Sequence, residues 1–258
     1  MFNRLLVPCL VATLFVGPTF SKAAEPNRNI ISRGSYTNSQ IKFEREKKGH
    51  VAFIGGSITE MNGYRPMVCE DLQKRYPETE FTFTAAGISS TCSTTGAFRL
   101  NRDVLSKGPV DLFFIEFAVN DDQDAGHARR ECIRGMEGII RQCRKHNPNM
   151  DMVVTFFVNP GMLELLQQGK TPTSMGSHAA VLEYYNVSTI HLAREAADRI
   201  TAGTLTWAEY GGTHPKPAGN RIGADMIKTL LNDAWAKPLD QSAKLTAHAV
   251  PEKQLDKG

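Results

Sequence analysis

The sequence predicts an α/β fold, in which helices cover both faces of a flavodoxin-like central parallel sheet of about five strands. The first observation is a series of short, mostly apolar runs, which are typical of buried parallel strands. These runs lie at 51–54, 80–85, 110–117, 151–158 and 187–191. The second observation is that segments of helical periodicity alternate with the runs. They lie at 65–76, 97–107, 127–146, 177–185, 192–202 and 218–235. We therefore expect a three-layer α/β/α sandwich.

The two ends of the chain differ from this core. Residues 1–23 have a basic start, an apolar stretch and small residues at their end, which predicts a signal peptide and a secreted or periplasmic protein. The apolar stretch is shorter than the roughly 20 residues of a membrane-spanning helix, so no stable membrane insertion is expected after cleavage. Residues 24–48 are polar and predict an extended lead-in, residues 49–236 a single domain, and residues 237–258 a polar tail.

Composition argues against several classes of function. A net charge of +3 is too small to indicate a nucleic-acid partner. The histidines form no i, i+4 pair, and the cysteines lack the spacing of a zinc site, so no metal is expected. No phosphate-binding loop motif is present, and no cofactor is expected. The four cysteines beyond the signal peptide could pair in three ways or remain as buried apolar side chains; they are Cys69, Cys92, Cys132 and Cys143.

Candidate reactive residues follow the predicted strands. Ser57 comes directly after the first strand, Gly87 after the second and Asn120 after the third, while His214 lies on a loop near the end of the domain. In open α/β sheets the functional site forms at the carboxyl ends of the strands. We therefore expect these four residues to meet at one edge of the sheet.

This set of residues suits acyl transfer. A serine hydroxyl becomes a good nucleophile when a base removes its proton, and a neutral imidazole is suited to that task. Ser57 is therefore the candidate nucleophile and His214 the candidate base. The oxyanion of the tetrahedral intermediate needs preorganised donors. The Ser57 N–H, the Gly87 N–H and the side-chain NH₂ of Asn120 are the candidates.

The order of these motifs resembles that of the SGNH hydrolases, also called GDSL esterases. The matching segments are Gly-Gly-Ser-Ile at 55–58, Gly87, Asn-Asp at 120–121 and His-Pro at 214–215, and the resemblance extends from about residue 51 to 230. Within the family, the GGSITE and FAVND segments are similar to a secreted bacterial branch. The resemblance implies the sandwich fold, serine esterase activity and, as substrates, small acyl esters or acylated oligo- and polysaccharides, often acetylated ones.

Several positions depart from the family pattern. Gly56, Ala85 and Ala118 replace the usual Asp, Asn and Gly of the first three motifs, and Gly211 replaces the Asp that normally orients the histidine. We expect the backbone carbonyl near Gly211 or the Glu209 carboxylate to orient the imidazole of His214 instead.

Further carboxylates and a second histidine are additional candidates. Asp121 or Asp122 could also orient His214, while His178 and Asp121 are possible substrate contacts. Glu116 is unusual in an apolar strand, and indicates either a partner for a buried arginine or a wall of the site. Three aromatic residues near the loops could stack on a sugar or pack in the core; they are Tyr64, Trp207 and Tyr210.

Two other functions remain open at this point. The same scaffold could carry a lipid or aryl esterase or a thioesterase, which would prefer longer acyl chains. The departures at Gly56, Ala85 and Gly211 are also compatible with a catalytically impaired protein that binds carbohydrate without turnover.

Overall fold

A computed structural model describes residues 27–257, and the predicted signal peptide lies outside this range. The predicted fold class is confirmed: a six-stranded sheet with the order β1-β6-β5-β4-β2-β3 lies between layers of helices. The strands β2 to β6 are parallel, whereas the short β1 pairs antiparallel with β6. The sequence predicted the parallel strands but not β1, because two residues are too few to give a pattern. The strands are β1 (Ile30–Ile31), β2 (Lys48–Gly55), β3 (Glu80–Gly87), β4 (Leu112–Glu116), β5 (Asp151–Thr155) and β6 (Ser188–Ile190).

The helices follow the predicted segments, with four short additions next to the loops. The long helices are α3 (Tyr64–Arg75), α4 (Ser93–Asp103), α6 (Arg129–His146), α8 (Thr173–Tyr184), α9 (Leu192–Thr201) and α11 (Pro217–Ala234). The additions are α2 (Ser57–Glu60), α5 (Ala118–Gln123), α7 (Pro160–Gln167) and α10 (Trp207–Tyr210). Within the described residues, no helix combines the length and the apolarity needed to cross a membrane.

The order in which strands are added to the sheet reverses between β2 and β4. The chain passes from β2 through α3 to the edge strand β3, and then returns through α4 to β4 on the other side of β2. Right-handed crossovers in opposite directions place their helices on opposite faces. Accordingly, α4, α6 and α8 pack in one layer, and α3, α11 and α9 in the other. The carboxyl ends of β2 and β4 thus form the switch point at which ligands bind in such folds.

The extended lead-in predicted for residues 24–48 is wrong in its second half. Residues Thr37–Gln40 form helix α1, and Ile41–Arg45 continue it as a π-helix. Tyr36, Ile41 and Phe43 are buried, and the ring of Phe43 packs edge-on against Trp235 at 5.9 Å. Since helical stability in proteins comes mainly from packing an apolar side, these contacts outweigh the polar composition of the segment.

The polar residues that follow α11 lie along the surface and bind to buried carboxylates. The imidazole Nε2 of His248 lies 2.7 Å from Asp151 Oδ1, and the backbone N–H of Asp256 donates to Glu137 at 3.0 Å. Asp151 and Glu137 are almost fully buried. The tail therefore satisfies acceptors that would otherwise lack partners.

Candidate active site

A tight turn presents Ser57 at the carboxyl end of β2. The strand ends at Gly55, Gly56 precedes the helix, and Ser57 is the first residue of α2. A Cβ atom on Gly56 would lie 2.0 Å from Asn120 Oδ1, so any side chain there would displace the asparagine. Gly56, which departs from the family pattern, therefore allows Asn120 to lie directly against the turn that carries Ser57, here called the nucleophile turn.

The structure brings Ser57 and His214 together from positions 157 residues apart. Ser57 Oγ lies 2.8 Å from His214 Nε2, which is within hydrogen-bond distance. His214 is exposed and Ser57 is half-buried, so the pair faces solvent. The distance and the exposure are those that a serine nucleophile and its general base require.

The backbone holds the loop that carries His214. The Lys216 N–H donates to Tyr210 O at 2.9 Å, and Asn220 Nδ2 donates to Pro215 O at 2.6 Å. Gly211 has a φ of 110°, and a Cβ atom there would lie 2.1 Å from Lys216 N. The position of the usual family aspartate is therefore closed to any side chain in this loop conformation.

None of the predicted orienting carboxylates makes a hydrogen bond with His214 in the described part of the chain. The Glu209 carboxylate instead accepts from the Thr206 N–H and the Thr206 hydroxyl, both at 2.7 Å, in a capping box at the start of α10. Asp122 accepts from Asn159 Nδ2 at 2.9 Å. The backbone carbonyl near Gly211 makes no hydrogen bond with the imidazole either, so among the described residues the His214 ring is hydrogen-bonded to Ser57 alone.

The candidate oxyanion donors lie around the same turn. Asn120 is almost fully buried, and its Nδ2 donates one hydrogen to Asp124 at 2.7 Å, which leaves a second hydrogen for a ligand. Gly87 is in register with Gly55, and a Cβ atom on it would lie 2.2 Å from Glu60 N. Glycine at 87 thus lets the end of β3 approach the helix that begins with Ser57.

Asp121 lies in a buried network behind Asn120. Its carboxylate accepts from the Ser93 N–H at 2.7 Å, from the Ser93 hydroxyl at 2.6 Å and from His178 Nε2 at 2.9 Å. Burial raises the pKa of Asp121, but the bonds to His178 and Ser93 outweigh it and hold that pKa below its usual value.

Neither His178 nor Asp121 is presented to a substrate in this conformation. Both side chains have no exposed surface. Their contacts join α8 to α5, the short helix that carries Asn120, and so the pair supports the site from behind.

Two groups around Asp121 offer possible metal ligands, although the sequence spacing indicated none. Their donor atoms lie within 4.8 Å of one another; the groups are Cys92, Asp121 and His127, and Asp121, Cys132 and His178. Both oxygens of Asp121 already accept hydrogen bonds from Ser93, so a hydrogen-bond network describes the cluster in this structure. All four cysteines of the described range are free thiols.

Glu116 lies beneath the nucleophile turn, on the strand next to Gly55. Its carboxyl is fully buried, and Thr59 Oγ1 donates to it at 3.3 Å. Burial raises the pKa of Glu116 to about 7, against the opposing effect of hydrogen bonds from the Gly56 N–H and Thr59. The sequence suggested that Glu116 either pairs with a buried arginine or forms a wall of the site. In the structure it does neither.

The surroundings of Ser57 are open and mixed in polarity. Met61 and Ile88, in the chain segments that follow β2 and β3, are exposed apolar side chains. Tyr64 and Tyr210 are buried in the core, and the partly buried Trp207 packs against it by stacking on Tyr210 at 5.3 Å. A cavity of about 490 Å³ lies at the amino ends of the strands, beside residues such as His50 and Asp111.

The geometry agrees with a family model. Residues 53–222 match the GDSL-like lipase/acylhydrolase family. The chain therefore belongs to this family, whose members are carboxylic ester hydrolases and whose SGNH motifs the sequence carries in order. A search of curated proteins gives no match.

Solved structures show the same fold. A two-domain esterase active on acetylated mannans is similar with a TM-score of 0.71 and 24% identity, over 87% of this chain and 60% of that chain. Its complex with mannopentaose gives 0.68 and 26%, over 84% and 59%. An acetylxylan esterase from Geobacillus stearothermophilus gives 0.58 and 18%, over 71% and 94%. This chain thus spans about 60% of the length of the mannan esterase.

Proposed function

We propose that the protein hydrolyses O-acetyl esters on a polysaccharide, with Ser57 as nucleophile and His214 as general base. The observation that carries this proposal is the 2.8 Å distance between Ser57 Oγ and His214 Nε2 on the switch-point edge of the sheet. Family membership supports ester hydrolysis as the reaction.

The reaction follows from the geometry. His214 accepts the hydroxyl proton as Ser57 Oγ attacks the ester carbonyl carbon, and it then donates that proton to the leaving sugar oxygen. Hydrogen bonds from the Ser57 N–H, the Gly87 N–H and the free hydrogen on Asn120 Nδ2 stabilise the negative charge on the carbonyl oxygen. A water molecule, deprotonated by His214, releases acetate from the acyl-enzyme.

The loop conformation takes over the role of an orienting acid. His214 lies between the left-handed Gly211 and Gly212 and the fixed φ of Pro215, and the Asn220 amide holds the Pro215 carbonyl. Fixing the imidazole by its backbone preserves its approach to Ser57, although the imidazolium lacks a carboxylate to stabilise it. We therefore expect a working pair with a lower kcat than a full triad gives.

Three features support an acetylated polysaccharide as the substrate. An exposed dyad admits a short acyl group on a bulky chain, whereas long acyl chains need extended apolar burial. The similar esterases act on acetylated mannans and are acetylxylan esterases. The signal peptide predicted from the sequence supports a substrate outside the cytoplasm.

The test is acetate release from acetylated mannan and acetylated xylan, measured beside p-nitrophenyl acetate, butyrate and octanoate. Wild type is expected to release acetate and to prefer the acetyl ester, and Ser57→Ala is expected to release none while its circular dichroism stays unchanged. Acetate release that survives in Ser57→Ala would contradict the nucleophile assignment.

Other outcomes point to the other two functions. A preference for octanoate would indicate a lipid or aryl esterase. Binding of acetylated polymer without acetate release by wild type would indicate a carbohydrate-binding protein.

A further inference from the structure

A buried arginine on α4 contacts all three strand ends that carry the proposed oxyanion donors. The Arg99 guanidinium donates from Nη2 to Gly55 O at 3.0 Å and from Nη1 to Ala86 O at 2.7 Å. Its central carbon lies 6.0 Å from the ring centre of Phe117, the residue that precedes α5. One side chain therefore touches the ends of β2, β3 and β4 together.

The contacts reach the residues next to the reactive groups. Gly55 lies two residues before Ser57, Ala86 is bonded to Gly87, and Phe117 lies three residues before Asn120. A second bond from Arg99 Nη2 reaches Thr91 Oγ1 at 3.3 Å, in the segment that connects β3 to α4. Because a guanidinium is a rigid planar fork, it fixes the spacing of the carbonyls that it bridges.

The charge of Arg99 is buried, and its carboxylate partner is shared with Arg102. The side chain is 5% exposed, and its ion partner, Asp103, lies at 3.1 Å from Nη1. The Nε–H of Arg99 is buried without a hydrogen-bond partner among the described residues. A fixed positive charge under the nucleophile turn favours negative charge developing above it, and a low-dielectric setting strengthens that effect.

We propose that Arg99 is a positioning residue for the oxyanion site, which fixes the three loops carrying Ser57, Gly87 and Asn120 and supplies positive charge beneath the oxyanion. This inference rests on the proposed esterase function and deepens it. Arg99 touches no substrate, so it acts through the loops, and its loss changes the transition state more than the ground state.

The experiment compares Arg99→Met and Arg99→Lys with the matched control Arg102→Met, on the same helix. Arg102 is exposed and also pairs with Asp103, so its replacement removes a similar charge from the surface. We expect kcat for p-nitrophenyl acetate to fall about 100-fold in Arg99→Met, with KM within threefold of wild type. Arg99→Lys keeps the charge but replaces the rigid planar fork with a flexible ammonium, so its kcat should fall less than that of Arg99→Met. Arg102→Met keeps wild-type kcat.

Two further measurements separate positioning from simple structural support. A boronic acid that forms a tetrahedral adduct with Ser57 should bind more weakly to Arg99→Met by the same factor as kcat falls. In Arg99→Ala, which leaves space for a small ion, added guanidinium at millimolar concentration should restore kcat, and urea should not.

The contrary results are distinct. If kcat is unchanged, or if it falls only in proportion to the folded fraction seen by circular dichroism, Arg99 has no positioning role and the inference is overturned. Failure of the esterase proposal itself would show as inactivity of wild type toward every ester.

Discussion

Two groups of polar side chains on neighbouring parts of this fold have nearly the same composition and opposite arrangements. In the first, Ser57 meets His214 at 2.8 Å on an exposed edge, without a carboxylate. In the second, Ser93 and His178 both donate to the carboxylate of Asp121, with no exposure of Asp121 or His178. A serine and a histidine thus face each other in one group and are separated by an acid in the other.

The difference shows what makes a serine reactive. A base must contact the hydroxyl directly and be accessible to substrate. His214 lies 2.8 Å from Ser57 Oγ and is exposed, so its position meets both requirements. In the second group the acid between the two side chains holds both as hydrogen-bond donors, so it stabilises the fold and activates nothing. We therefore propose catalysis for the first group and support of α5 for the second.

The largest effect is expected at His214. His214→Ala should lower kcat/KM for p-nitrophenyl acetate by about 10³–10⁵-fold, because Ser57 loses its base. The thermal unfolding midpoint should stay near that of wild type, since the side chain is exposed. His146→Ala is the control, because His146 is exposed at the end of α6 and far in sequence from the site. A similar loss of activity in both variants would contradict the assignment.

Substitutions in the buried group around Asp121 should lower the free energy of unfolding. Asp121→Ala leaves the Ser93 N–H, its hydroxyl and His178 Nε2 without an acceptor, and we expect the free energy of unfolding to fall by about 3–5 kcal/mol. Urea denaturation measures this. Asp225→Ala, which removes an exposed carboxylate paired with Arg221, should cost less than about 0.5 kcal/mol. Equal costs for the two variants would sink the structural role given to Asp121.

Glu116 should make stability depend on pH beneath the first group. Its pKa is raised from 4.5 to about 7 in the folded state. The unfolded state therefore ionises first, so the stability from a neutral Glu116 is fully present below pH 4.5 and is lost as pH rises through 7. The loss is about 3 kcal/mol at most, from the shift in pKa.

Glu116→Gln keeps the shape and removes the ionisation. Its stability relative to wild type should rise between pH 5 and 8, as measured by urea denaturation across that range. The exposed Glu183→Gln is the matched control and should show no such rise. A constant difference between Glu116→Gln and wild type would show that Glu116 does not titrate in this window.

Introducing the aspartate that is usual in the family at position 211 should not raise kcat. In Gly211→Asp the positive φ and the 2.1 Å approach to Lys216 N should cost about 2–4 kcal/mol, without a gain in kcat. Gly212→Asp separates the two causes, because Gly212 also has a positive φ, 86°, but open space around its Cβ position. It should cost about 1 kcal/mol. A higher kcat in Gly211→Asp would mean that the loop adapts and admits an acid.

The smallest effect is expected at Glu209. Glu209→Gln should leave kcat within about twofold of wild type, because the carboxylate caps α10 through Thr206. A loss of more than about tenfold in kcat would revive the hypothesis that Glu209 orients His214. Thr206→Ala, which breaks the same cap from the other side, is the control for indirect effects of α10.

Much of the fold could be predicted because its strands and helices carry local patterns. The buried run at β4 and the amphipathic face of α6 are visible in short windows of sequence. By contrast, α1 and β1 form through contacts with distant residues such as Trp235 and Ile190, and no local pattern reports such packing. The prediction of an extended conformation for the lead-in is wrong for that reason.

The residues of the candidate site also differ in whether local sequence patterns predict their positions. The motifs place Ser57, Asn120 and His214 on loops at one edge, since parallel strands end together. The role of Glu209 depends on a capping box, and the burial of His178 depends on the packing of α8 against α5 and α6, neither of which motif spacing reveals. Arg99 gave no signal, because one arginine in a polar helix resembles a solvated residue until its carbonyl partners are seen.

The central claim is that Ser57, and not the buried Ser93, is the nucleophile. The most direct measurement is labelling with a fluorophosphonate, followed by mass spectrometry of the digested peptides. We expect a single phosphonyl group on the peptide containing Ser57, at a rate that falls sharply in His214→Ala, and no label in Ser57→Ala. A label on Ser93, or one that persists in Ser57→Ala, would contradict it.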